Sequence, residues 1–165
     1  MKFIDLNKKA WQWALFFTLA FIWGSSFILM KKGLQSYSNY QVAAFRLFFT
    51  FIFFIPFTFK YFKLLNKSNL KSILITGFFG NGIPAFLFTT AQTQISSSFS
   101  GILNSLTPIF TLVVGVFFYK AKSRWINALG LFIGLVGATG LIFKDIDSFL
   151  AGNNLYALFV VLATL

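Results

Sequence analysis

The chain has 165 residues; 58% are hydrophobic, 21% aromatic and only 10% charged. A soluble domain usually carries about 25% charged residues, so too few remain to coat a water-facing surface, and the 26 phenylalanines could not all be buried behind one. Cysteine and histidine are absent, which removes thiolate chemistry together with the commonest metal ligand and general base.

Uncharged runs set the predicted elements, because a spanning helix needs roughly 20 mostly apolar residues. The first covers residues 11–30, after Lys2, Lys8 and Lys9. It is longer than a signal peptide core and has no small-residue cleavage pattern before Lys31. The second covers 40–59 and carries a single charge, Arg46. Residues 72–119 are uncharged but too long for one span, and the polar cluster QTQISSSFS at 92–100 is the natural turn. That divides the run into helices at 72–91 and 98–118. A fifth helix is expected at 124–143, and a sixth starts near Asn154 and reaches Leu165. The expected fold is therefore an all-α polytopic membrane bundle with five complete spanning helices plus the start of a sixth. The alternation of a membrane barrel is missing. The last apolar run is too short to cross, so the sequence is expected to stop inside a longer protein.

The flanking charges give an orientation. Ten Lys and Arg residues fall on one side: Lys2, Lys8 and Lys9, then Lys60, Lys63, Lys67 and Lys71, then Lys120, Lys122 and Arg124. The other side has Lys31, Lys32 and Lys144, the last beside Asp145 and Asp147. Cytoplasmic ends of spans are rich in Lys and Arg, so a cytoplasmic amino terminus in a cell membrane, a bacterial inner membrane, is expected. The formal charge of +11 then reads as contact with anionic lipid. It does not read as nucleic-acid binding, because these short flanks of spans carry no recognition fold.

Polar and helix-breaking residues recur at similar depth. The stretch GNGIPAFLF, 80–88, puts Gly80, Asn81, Gly82 and Pro84 near the middle of the third helix. Proline removes a helical hydrogen bond, leaving the Gly80 carbonyl without its usual donor. In lipid a freed carbonyl needs a partner or a cavity. NSLTPIF places Asn104 and Pro108 in the outer to middle part of the fourth helix, and WGSSF places Trp23, Gly24, Ser25 and Ser26 in the first. Interrupted helices near the midplane are a common way to build a solute site, and the deep Asn81 amide needs partners. Each residue alone also has a structural reading, since Pro, Gly and Ser are common in membrane helices and serve close packing. Two readings stand for Arg46: snorkelling to the outer surface, or facing the bundle to meet carbonyls or an anionic solute. Gly130, Gly134 and Gly137 in the fifth helix read as a packing stripe.

Several segments resemble the EamA-type family of drug/metabolite transporters. FIWGSSFILMKKGL, 21–34, is similar to its first-helix signature and AAFRLFFT, 43–50, to its second-helix arginine segment. SSSFSGILNSLTPIFTLVVGVFFY, 96–119, resembles its longest motif, ahead of INALGLFIGLVGATGLIF. The resemblance covers residues 11–143 and implies one five-helix repeat of a ten-helix carrier. A tail at 1–10, an outer connection at 144–153 and the start of a sixth helix at 154–165 complete the organisation. By resemblance, Trp23, Gly24, Ser25, Arg46, Asn104, Pro108 and the fifth-helix glycines are the family positions. The family often has Gly-Glu after the fourth helix, where this chain has Tyr119-Lys120-Ala121-Lys122, so any loop ion pair of that acid is absent.

The expected function is secondary transport of a small organic metabolite by alternating access, with substrate contacts from Trp23, Ser25, Ser26, Arg46, Asn81 and Asn104. No cofactor, metal or catalytic residue is expected. The expected partners are the solute, membrane lipid and a second helical repeat of the same chain, with a homodimer left open. A structural or assembly protein without a solute path is one alternative. A lipid-modifying membrane enzyme is another, but it needs a cluster of His, Asp, Glu or Cys that the spans lack.

Overall fold

In the computed structural model, which describes residues 8–62, 65–121, 125–142 and 154–165, every described regular element is helical. The elements are α1 (Lys9–Gly33), α2 (Asn39–Tyr61), α3 (Lys67–Gly77), a π turn (Phe78–Gly82), α4 (Ile83–Ala91), α5 (Ser97–Asn104), α6 (Thr107–Tyr119), α7 (Trp125–Ile142) and α8 (Asn154–Thr164). Local chemistry fixes several starts. The Ser38 hydroxyl accepts from the Gln41 N–H, and the Gln41 side chain accepts from the Ser38 N–H, a reciprocal cap on α2. Asn66 and Asn69 do the same for α3. Ser96 caps α5 by accepting from the Phe99 N–H.

Among the described residues four helical runs are long and apolar enough to cross a membrane: Lys9–Gly33, Asn39–Tyr61, Asn69–Ala91 and Ser97–Tyr119. This corrects the expectation of five complete spans plus the start of a sixth. The later helices supply only shorter apolar stretches, Trp125–Gly134 and Leu155–Thr164. At 1.5 Å per residue such a stretch covers about 15 Å, half of a hydrocarbon core of about 30 Å. The uncharged run 125–143 does form one helix, α7, but its apolar stretch among the described residues is only Trp125–Gly134. Residues 1–7 of the expected tail at 1–10, the connection at 144–153, and Lys63, Lys122 and Arg124 lie outside the described residues.

The two ends of the bundle are built differently. The turns after α1 and α4 lie at one end, and there the helices pack. α4 lies against α8 and α2, while α5 lies against α1 and α8. Phe27, Met30 and Val42 form one buried group, joined by Leu34 and Phe88. Ala91, Ile95, Phe99, Ala157 and Val160 form a second, which Phe88 also touches. Phe27 and Phe88 meet edge to face with centroids 5.7 Å apart, a geometry worth about 0.5–1.5 kcal/mol beyond area burial. At the basic end, no residue of 8–26, 44–62, 65–66, 69–84 or 101–121 is buried. The helices are splayed there, and their aromatic side chains face outward.

Polar links lock the packed end. Lys31 turns inward, and its Nζ donates to the Gln92 and Ile95 carbonyls at 2.6 and 3.0 Å. Those carbonyls belong to the turn after α4, where helical donors run out and a cation is favoured. The Asn39 side-chain N–H donates to Thr90 Oγ1 at 2.9 Å, tying α2 to α4.

Candidate functional site

The third and fourth spans are each interrupted, by different means. In the third, the Ile83 N–H donates to the Phe78 carbonyl, five residues back instead of four. That π register changes which carbonyl loses its donor: Pro84 would have served Phe79, not Gly80 as an unbroken α-helix requires. In the fourth, α5 ends at Asn104 and α6 restarts at Thr107 after a turn at Ser105 and Leu106. Pro84 and Pro108 both sit in the first turn of the restarting helix; at Pro108, which follows the turn at Ser105 and Leu106, the missing N–H breaks no helical bond.

Between these interruptions lies a cavity of about 510 Å³, within the range for small-molecule sites. α1 contributes Trp23 and Ser26, α2 contributes Arg46 and Thr50, and the interrupted helices contribute Gly80, Asn81, Pro84, Asn104 and Thr107. Phe27, Met30, Ala85 and Phe88 separate it from the packed end. Arg46 lies seven residues into α2, about 10 Å from its start. Its Nη1 donates to Met30 Sδ at 3.5 Å, so the guanidinium faces the bundle. Thr107 Oγ1 meets Asn104 Oδ1 at 3.5 Å, and the Asn81 amide has no hydrogen-bond partner among the described residues. Ser26 Oγ donates to the Trp23 carbonyl at 2.6 Å, and Thr50 Oγ1 to the Arg46 carbonyl at 2.7 Å. Both hydroxyls therefore present lone pairs to the cavity.

Five of the six residues expected to contact a solute line this cavity: Trp23, Ser26, Arg46, Asn81 and Asn104. Ser25 does not; its hydroxyl donates to the Ile22 carbonyl. Gly24 and Pro108 line two neighbouring clefts that share Trp23 and Asn104 with the main cavity. Among the described residues no other helix approaches Gly80 or Gly82, since a methyl at either would meet only Thr76, Gly77 or Phe78 of the same span. Gly130, Gly134 and Gly137 stand away from the cavity, with no described atom within 4 Å of an added Cβ. Sequence reasoning missed Met30, Thr50 and Thr107, which carry no signal beyond their spacing from Arg46 and Asn104. It also missed Lys31, whose place in the last turn of α1 was a legible cue for capping carbonyls.

A sequence model of the EamA-like transporter family matches residues 10–143. The chain belongs to the EamA-like transporter family. Family membership and the four apolar runs make it a multi-pass membrane protein. Its relatives include an uncharacterized transporter of Bacillus subtilis, 25% identical over 87% of this chain and 45% of the relative. A WAT1-related protein of Arabidopsis thaliana is 27% identical over 74% of this chain and 38% of its own length. An S-adenosylmethionine uptake transporter of Rickettsia felis is 30% identical over 73% of this chain and 42% of its own. The matched segment thus spans less than half the length of these EamA-like relatives. No solved structure matches the chain with significance.

Proposed function

We propose that the chain forms one helical unit of a secondary carrier that moves a small organic solute by alternating access, with the cavity between the interrupted spans as its solute site. The observation that carries this reading is the convergence of Trp23, Arg46, Asn81 and Asn104 on one cavity of about 510 Å³ at the two helix breaks. Irregular backbone at membrane depth is tolerated where it lines a cavity, and discontinuous helices at the midplane form carrier sites. The unit works with a second helical repeat or a second copy, in keeping with relatives more than twice as long as the matched segment. The ten-to-three distribution of Lys and Arg supports a cytoplasmic amino terminus. With that orientation the splayed end opens to the cytoplasm and the packed end closes the outer side. A structural protein with no solute path predicts a dry, packed bundle, which fits this cavity poorly.

The test is selective accumulation in proteoliposomes bathed in a bacterial metabolite extract, read by mass spectrometry. At least one solute should accumulate above empty vesicles, and Asn81→Leu should reduce its accumulation while leaving folded yield intact. No accumulation above empty vesicles would remove the reading. Single-cysteine labelling at positions 8 and 97 tests orientation in a chain that has no cysteine of its own; outside labelling at position 8 would reverse it.

A further inference from the structure

We propose that the cavity selects organic anions: a carboxylate or phosphate group held by Arg46, with a ring or apolar body lying against Trp23 and Phe27. The proposal rests on reading the cavity as a solute site and specifies what that site accepts. Among the described residues Arg46 is the one charged side chain lining it. All three acidic residues of the chain, Asp5, Asp145 and Asp147, lie outside the described residues, so no described carboxylate neutralises the guanidinium. Its hydrogen-bond acceptor is the Met30 thioether at 3.5 Å, a weak neutral acceptor. A guanidinium has five N–H donors in a planar fork that matches the two oxygens of a carboxylate or phosphate. Arg46 is exposed and lines the cavity, so its fork is accessible to an incoming anion. The Asn81 amide supplies further donors. A purely cationic solute would meet Arg46 without a carboxylate to offset the repulsion. Trp23, Phe27 and Phe88 offer aromatic surface to the same cavity, which suits a ring better than a small hydrated inorganic anion.

The experiment uses the intact chain in lipid nanodiscs and four probes sharing one ring: phenylacetate, phenyl phosphate, phenylacetamide and phenethylamine. Binding is read by calorimetric titration and by thermal shift. The two anions should half-saturate at concentrations at least 10-fold below the amide, with the amine weakest. Arg46→Gln should erase the anion advantage, Arg46→Lys should retain part of it, and Lys32→Gln, at the exposed outer end of α1, should leave it unchanged. If Arg46→Gln lowers folded yield, Arg46→Lys with salt titration carries the comparison, because a point charge should show a smaller anion advantage that salt reduces further. Equal or tighter binding of the amide or amine overturns the anion selectivity. So does an anion advantage that survives Arg46→Gln. Asn81→Leu separates the two levels: if it weakens all four probes, the cavity remains the solute site whatever the charge preference. Binding of no probe, or binding indifferent to both Asn81 and Arg46, overturns the cavity reading together with the selectivity.

Discussion

The packed end and the splayed end of this bundle both carry large hydrophobic side chains, yet behave in opposite ways. At the packed end Phe99 is 4% exposed between α4, α5 and α8, whereas at the other end Phe117 of α6 is 78% exposed. In lipid, hydrophobicity does not distinguish the two, because acyl chains solvate a phenylalanine as well as another helix does; helix association depends on close packing and on polar links. The packed end has both. Small residues Ala43, Ala85, Ala91 and Ala157 are buried there, letting backbones approach, and Lys31 and Asn39 tie the helices across. The basic end has long aromatic side chains and few crossing bonds. The cavity sits where one regime gives way to the other, which is where a carrier needs a firm wall on one side and freedom to move on the other.

The largest expected effect comes from removing packing at the closed end. Phe99→Ala should destabilise the bundle by about 3 kcal/mol, through a cavity its neighbours cannot fill. Phe117→Ala, made at an exposed lipid-facing site, should stay within about 0.5 kcal/mol. Unfolding of both variants in the same detergent measures the difference, and equal losses would mean that the two ends do not differ in packing.

Next comes the cation that closes the turn. Lys31→Met keeps most of the side-chain volume but removes two charge-assisted bonds to carbonyls. A loss of about 2–3 kcal/mol is expected, together with faster hydrogen exchange at Gln94 and Ile95. Lys60→Met at the splayed end should lack both effects. A smaller loss, about 1 kcal/mol, is expected for Asn39→Ala, since a neutral hydrogen bond is removed from the same end. A double variant with Lys31→Met would reveal whether the two links act together.

The smallest effect has the opposite sign. Lys120 ends α6 with φ of 52°, a left-handed conformation, and the Ala121 N–H closes the helix onto the Gly115 carbonyl at 2.9 Å. A side chain in that region is strained and glycine is not. Lys120→Gly should therefore raise stability by up to about 1 kcal/mol, measured by the melting temperature. It sharpens the contrast because a stabilising change at the splayed end should leave the closed-end exchange rates untouched.

Much of the chain was legible from charge alone. The helices expected at 11–30, 40–59, 72–91 and 98–118 correspond to the four long apolar runs, because a charge within the hydrocarbon is unfavourable enough to mark the limits of a span. Polar side chains and prolines inside those limits also pointed to Asn81, Asn104, Trp23 and Arg46, since each is difficult to accommodate in lipid without a partner. Three things were decided only by tertiary structure. Arg46 had two orientations compatible with its position in α2, and the Met30 contact selects the one facing the bundle. Ser25 and Ser26 are neighbours in sequence, yet a helix turns about 100° between them, and only Ser26 reaches the main cavity. The span count and the closure of one end followed from how far each apolar helix continues and which small residues meet across the bundle. Charge patterning determines what enters the membrane, because solvation acts on each residue separately. Packing determines which faces meet there, because it depends on pairs of helices that are distant in the sequence.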